Sequence, residues 1–178
     1  MSEICEAIRP TSILELGCGV GSFLSQNPQY RGKVNAVQKL FNAQDLGILE
    51  SLGYKILDRE ILSYFKEGFD ETYDLVICTD VIEHFLRSDA FSIIDFSLYR
   101  AKWMVLVWPS SHPQDGVPSS LDRHRSSFSI EAIVRDFDLV YYLQTGFAEL
   151  HVIHRYHLAV LRGHMNLENF PRAIRSYP

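Results

Sequence analysis

The sequence predicts an α/β domain built on a mostly parallel sheet with helices on both faces, and three observations carry that prediction. Short apolar runs alternate with longer stretches of helical period. The run at 73–78 is almost unbroken in apolar residues, as a strand covered on both faces requires. The first run ends directly in glycines spaced G-x-G-x-G, a turn that leads from a strand into a helix.

The elements follow in order. Residues 12–16 form the first strand, and Gly17, Gly19 and Gly21 turn the chain into a helix that begins near Ser22. Residues 34–37 form the second strand. A helix over 41–52 shows its period in Leu46, Leu49 and Leu52 and stops at Gly53. A third strand at 54–57 and a short helix at 61–65 lead to the fourth strand at 73–78. The next helix, 88–99, takes Ser88 as its N-cap and sets Phe91, Ile94 and Leu98 on one face. Residues 103–108 are the fifth and most apolar strand. A polar loop rich in Pro, Ser, His and Arg fills 109–127, a length that in compact domains marks function or mobility. Ser129 caps a helix to about Arg135, and residues 139–144 and 154–161 form a strand pair around Gly146. The tail, 162–178, is polar and broken by Pro171.

Composition narrows the class. A chain of 178 residues, 47% hydrophobic and 22% charged, can bury a full core as one domain spanning 1–178. No run approaches the roughly 20 apolar residues of a membrane span, and residues 1–10 do not read as a secretory leader. Cys5, Cys18 and Cys78 form neither a zinc pattern nor a disulfide framework, which fits a reducing cytoplasm. The net charge of −5 disfavours general nucleic-acid affinity, although one local patch could still hold such a substrate. Oligomeric state is left open.

The most informative segment is Glu15-Leu16-Gly17-Cys18-Gly19-Val20-Gly21. Without Cβ atoms the backbone turns tightly, and a ligand can lie against it. Glu15, a carboxylate at the end of a buried strand, needs a partner such as a cationic ligand group. This segment resembles the first motif, E/D-x-G-x-G-x-G, of the class I S-adenosylmethionine-dependent methyltransferases. The stretch from Tyr73 through Asp80-Val81-Ile82-Glu83-His84-Phe85 is similar to their fourth-strand motif, and the strand ending in Pro109 falls at their fifth-strand position.

The resemblance runs over roughly 8–161. It implies a Rossmann-like fold, with a seven-stranded sheet that closes on an antiparallel C-terminal strand. It implies S-adenosylmethionine as cofactor, with Gly17, Cys18, Gly19 and Gly21 against its methionine and ribose parts. Glu15 would serve the ammonium, Asp58 the adenine amino group, and Thr79 and Asp80 the methionine end. The family usually has an acid at the end of the second strand for the ribose hydroxyls. Here Gln38 holds that place and offers a weaker, uncharged pairing. Many relatives also carry substrate-covering helices before the first strand, where this chain has ten residues.

The implied reaction is methyl transfer to an oxygen or nitrogen of a small acceptor, anionic or sugar-like. Its general base would come from His84 and His124, with Asp80 a weaker candidate. Asp122-Arg123-His124-Arg125-Ser126-Ser127-Phe128-Ser129 resembles a stretch of small bacterial methyltransferases associated with surface-sugar biosynthesis. Arg123, His124 and Arg125 would bring positive charge to the cleft rim, or tie the loop to Asp115 and Asp122. One alternative is a cofactor-binding module without turnover, which Gln38 and the short N-terminus favour. Another is a metal-dependent RNA 2′-O-methyltransferase, a group with Glu and His ligands in loops like those of Glu83-His84 and His124. No metal ligand is assigned from the sequence, because no close H-x-x-x-H or carboxylate pair fixes a site. His154 and His157, three apart on a strand, point to opposite faces and make poor joint ligands. A nicotinamide oxidoreductase is disfavoured, since G-x-G-x-G lacks the dinucleotide spacing and no acid ends the second strand.

Overall fold

The structure is a computed structural model that describes residues 1–39, 43–67, 71–110, 124–149, 152–164 and 166, with the backbone alone at 43, 146–149 and 152–154. Its elements are α1 (Ser2–Ile8), β1 (Ile13–Leu16), α2 (Ser22–Gln26), β2 (Val34–Val37), α3 (Ala43–Ser51), β3 (Tyr54–Leu57), α4 (Ile61–Lys66), β4 (Tyr73–Thr79), α5 (Arg87–Arg100), β5 (Ala101–Pro109), α6 (Ile130–Asp136), β6 (Leu139–Glu149) and β7 (Val152–Arg162). Single 3₁₀ turns lie at Pro28–Tyr30 and Ile82–His84.

The seven strands lie in the order β3-β2-β1-β4-β5-β7-β6. The first five are parallel, and β7 runs antiparallel between β5 and β6. Because alternate residues of a strand face opposite ways, the sheet has an apolar layer on each side. On one side Leu14, Leu16, Val76, Met104 and Leu106 pack with Ile61, Tyr64, Ile93, Ile94 and Ile133 of α4, α5 and α6. On the other, Ile13, Leu75, Ile77 and Val105 pack with Ile4 and Cys5 of α1, Phe23 and Leu24 of α2, and Leu49 of α3. Glu15 lies between Leu14 and Leu16, so its side chain falls on this second side, beneath α1 and α2.

Several expectations change. Helix α5 begins at Arg87 with Leu86 as its N-cap and no side-chain cap bond, so Ser88 is inside the helix. Leu86 supplies the extended turn-in, while the Arg87 guanidinium lies over the rings of Phe91 and Phe128, 5.5 and 5.9 Å from their centroids. Ser129 does cap α6, accepting a hydrogen bond from the Ala132 amide. Gly146 is not a turn residue. It pairs with Arg155 inside a ladder that continues to Glu149 and Val152, since glycine is tolerated within a strand when the partner strand supplies the register. The residues before β1 form a helix where the sequence reading placed none, docked through Ile4 and Cys5. Residues 41–42 of the helix expected over 41–52 lie outside the described residues, as do 111–123 of the long loop and 167–178 of the tail. Among the described residues, no helix is long and apolar enough to cross a membrane.

Candidate functional site

Strand order reverses between β1 and β4: the chain proceeds from β1 outward to β2 and β3, then returns to β4 on the other side. The segments leaving these two strands therefore diverge and open a crevice, the place where open α/β sheets bind ligands. A cavity of about 430 Å³ lies there, lined by Glu15, Gly17, Cys18, Gly19, Thr79 and Asp80, with Met1 and Phe23 completing its wall.

The glycines have separate reasons to be glycine. All three are left-handed, at φ 68°, 54° and 84° for Gly17, Gly19 and Gly21. A Cβ on Gly17 would sit 2.7 Å from Val81 Cγ2, and one on Gly21 2.6 Å from Leu52 Cδ1, so both also allow close packing. A Cβ on Gly19 would meet nothing within 4 Å. Gly19 thus leaves bare backbone facing open space, as a ligand lying on the turn requires. Asp80 is also left-handed, at φ 53°, a conformation aspartate tolerates better than most residues.

Glu15 is buried, and its Oε2 accepts a 2.8 Å hydrogen bond from Tyr54 Oη. Tyr54 Oη in turn accepts from the Leu24 amide at 3.2 Å. Burial pushes the Glu15 carboxyl up to about 7, against the opposing pull of the Tyr54 bond. Burial and the Glu15 charge push the Cys18 thiol up to about 12, so it stays neutral. The floor of the cavity therefore holds a carboxyl balanced between its two protonation states, which a cation would ionise. The sequence reading missed Tyr54, because its partner is 39 residues away and the β3 pattern carries no hint of it.

Gln38 and Asp58 stand apart from this. Gln38 Oε1 accepts from the Gly19 amide at 2.6 Å and from the Cys18 thiol at 3.4 Å, while Nε2 donates to the Gly19 carbonyl at 3.2 Å. Asp58 is paired with Lys39 at 3.3 Å on the surface. Neither lines the cavity.

The loops after β4 and β5 do meet. Glu83, His84 and His124 each present a ligand atom, and these atoms lie within 4.8 Å of one another. The two imidazoles stand edge to face, 5.1 Å between centroids. Backbone amides make the junction: Arg125 and Ser126 both donate to the Glu83 carbonyl, at 2.7 and 3.1 Å, and Ser126 Oγ donates to the Phe85 carbonyl at 2.8 Å. Trp108 Nε1 donates to the Phe128 carbonyl at 2.9 Å and anchors the far end of this segment to β5.

Glu83 is 2% exposed, and among the described residues neither of its carboxylate oxygens has a hydrogen-bond partner. The buried His124 Nδ1 has none either. Burial, then the charge of Asp80, push the Glu83 carboxyl up to about 8. The Asp80 carboxyl is raised by the cleft walls and drawn back by His124, so Asp80 couples the cavity to the cluster. With no cation beside it this buried carboxyl stays protonated near neutral pH, a bound cation would ionise it, and two imidazoles with one carboxylate suit a divalent first-row metal ion. The sequence held a partial signal for Glu83, in the Glu-His pair after β4; only the fold shows that it is buried.

Of the other sequence candidates, Arg125 is exposed, and Asp115, Asp122 and Arg123 lie outside the described residues. His157 is a core residue, stacked on Trp108 with its Nδ1 2.7 Å from Tyr142 Oη.

No family model matches the chain, and no curated protein matches it in sequence. Solved structures match it in fold. They include the N-methyltransferase NodS from Bradyrhizobium japonicum WM9 in complex with S-adenosyl-L-homocysteine, at 13% identity over 92% of this chain and 85% of that one, with a TM-score of 0.66. Magnesium protoporphyrin IX methyltransferase (ChlM) from Synechocystis PCC 6803, with bound SAM, is 17% identical over 90% of this chain and 76% of that one, with a TM-score of 0.60. The methyltransferase domain of bacterial CtHen1-CN is 15% identical over 90% and 94% respectively, also at 0.60. At such identities the likeness is one of fold: this chain has the Rossmann-like fold of the class I methyltransferases.

Proposed function

We propose that this chain transfers a methyl group from S-adenosylmethionine to an oxygen or nitrogen of an acceptor held over the ends of β4 and β5. One observation carries the reading. The cavity at the β1/β4 reversal sets bare backbone at Gly19 beside a buried carboxyl, Glu15, that lacks a cationic partner among the described residues. A sulfonium amino acid supplies what that floor needs: an ammonium for Glu15 and a slender chain to lie on the turn. Thr79 and Asp80 then face the methionine end. The structures of NodS and ChlM, with their bound S-adenosyl ligands, support this choice of cofactor.

The cofactor supplies an electrophilic methyl group when bound, and the protein's task is to hold the acceptor in line and take its proton. His124, which acts electrostatically on the cavity residue Asp80, and His84, whose ring meets that of His124 edge to face, would supply imidazole nitrogens for that proton. Calorimetric titration with S-adenosylhomocysteine tests the cofactor assignment, and labelled methyl transfer to a panel of alcohols, amines and nucleotides tests turnover. Failure of the folded chain to bind the nucleoside would refute the reading.

The Glu83-His84-His124 cluster favours a narrower second reading, an oxygen acceptor used with a divalent metal ion. The three side chains would hold the ion, which when bound lowers the pKa of a hydroxyl that it coordinates. Glu83 fits such a role because its carboxylate has no other partner among the described residues. A ribose at an RNA end offers such a hydroxyl, and the Hen1 domain among the similar structures supports that choice. Calorimetry with Mn²⁺ tests the ion. Comparing oligonucleotides with ribose and 2′-deoxyribose ends tests the acceptor, and equal transfer to both would exclude the 2′-hydroxyl.

A further inference from the structure

The cavity has no residue of β2 or β3 in its lining. It encloses the turn, Glu15, Thr79 and Asp80. A ligand that extends past it crosses Gly19, where the space is open, toward the C-terminal ends of β2 and β3. Gln38 follows β2 and Asp58 follows β3 there. The Gln38 amide faces Gly19 with both its atoms: Oε1 accepts from the Gly19 N–H, and one of the two Nε2 hydrogens is donated to the Gly19 C=O, so that it pairs with a single residue of the turn as a neighbouring strand would. Its oxygen takes the Cys18 thiol as well. Asp58 is held by Lys39.

We infer that Gln38 is a positioning residue that fixes the glycine turn, and that, among the described residues, the site recognises the amino-acid half of its cofactor while the residue after β2 offers no free acceptor to the ribose hydroxyls. The inference rests on the cofactor reading above. Its chemical core is that the clamp requires an amide. Gly19 presents one donor and one acceptor to the same side chain, and only a group with both can answer. A carboxylate at position 38 would keep the Gly19 N–H but set an oxygen against the Gly19 carbonyl. Installing the acid that a ribose-reading site would use therefore loosens the turn here.

The test is calorimetric titration of the full chain with three probes: S-adenosylhomocysteine, its 2′-deoxy analogue, and 5′-methylthioadenosine, which lacks the amino-acid half. The 2′-deoxy analogue is expected to bind within about threefold of the parent, whereas losing the charged ammonium contact weakens 5′-methylthioadenosine by about 100-fold. Gln38→Glu is expected to weaken S-adenosylhomocysteine by about tenfold, at the cost of one misplaced hydrogen bond, with the ratio of parent to 2′-deoxy analogue unchanged. A parent-to-deoxy ratio above about 30 in the unaltered protein overturns the inference without any variant having to fold. So does a Gln38→Glu protein that binds the parent more tightly while leaving the 2′-deoxy analogue as it was. Either result leaves the cofactor assignment standing. No binding of S-adenosylhomocysteine at all removes that assignment, and this inference with it.

Discussion

The turn after β1 takes its form from seven adjacent residues, 15–21, while the Glu83-His84-His124 cluster is drawn from loops that follow two different strands. In the first region backbone conformation does the work: three left-handed glycines and an open face at Gly19. In the second the side chains do, and they are brought to one point by backbone amides of Arg125 and Ser126 that close on the Glu83 carbonyl. A local motif tolerates little change in backbone but survives changes elsewhere. An assembled cluster depends on each member and on the loop that delivers it.

The largest expected effect breaks the cluster while sparing the turn. Glu83→Gln and His124→Ala should each lower Mn²⁺ affinity and methyl transfer by about 100-fold or more, while calorimetry shows S-adenosylhomocysteine bound as before. The metal-free Glu83→Gln protein should melt close to the parent near neutral pH, because the buried carboxyl is then neutral and an amide of the same shape takes its place. A fall in melting temperature for Glu83→Gln would show that the carboxyl holds the fold instead.

The next effect separates the glycines from one another. Gly17→Ala and Gly21→Ala combine a left-handed backbone with a clash, and thermal unfolding should show losses of about 2–3 kcal/mol. Gly19→Ala meets no neighbour and should cost about 1 kcal/mol from its backbone alone. Gly19→Val should keep the fold yet lose the nucleoside, since the added side chain stands where a ligand would lie. Equal destabilisation at all three positions would mean that packing plays no part in the difference.

A smaller effect sharpens the role of Glu15. Its raised carboxyl keeps a proton in the folded chain that the unfolded chain has lost, so stability falls as pH rises from the usual carboxylate range to about 7, then levels. Cofactor binding runs the other way, because an ammonium prefers the ionised form. S-adenosylhomocysteine affinity should rise with pH up to about 7, by at most tenfold per unit, and Glu15→Gln should flatten the profile. The smallest effect on the site is at the anchor of the second loop. Trp108→Phe removes the 2.9 Å bond to the Phe128 carbonyl and leaves a cavity at a fully buried position, so it should cost about 2–3 kcal/mol of stability, with only a modest loss of Mn²⁺ affinity. Unchanged metal affinity would show that Arg125 and Ser126 hold His124 unaided.

Elements with strong local signals were legible. The β2 and β3 strands occupy the expected residues, and Ser129 caps α6 as its sequence position implies. Signals that depend on a partner were not. Ser88 looked like a cap, but the extended residue at the helix start is Leu86, and Arg87 is held by two aromatic rings. Gly146 looked like a turn until the pairing with β7 carried the strand past it. Of the site, the sequence pointed to Glu15, the glycines, Thr79 and Asp80 because they sit at strand ends in an ordered motif. It held no sign of the bond by which the Gln38 amide meets Gly19, a residue 19 positions earlier.

The sequence by itself determined the alternation of strands and helices, the glycine turn and a carboxylate at the end of β1, because period and steric freedom are properties of neighbouring residues. Tertiary structure alone decided which strands lie side by side. From that follow the partner of Glu15, the bonds of Gln38 to Gly19 and the burial of Glu83 beside His84 and His124. The physical reason is that burial and hydrogen-bond partnership depend on distance in space, and a chain folded into a seven-stranded sheet brings together groups that its order keeps apart.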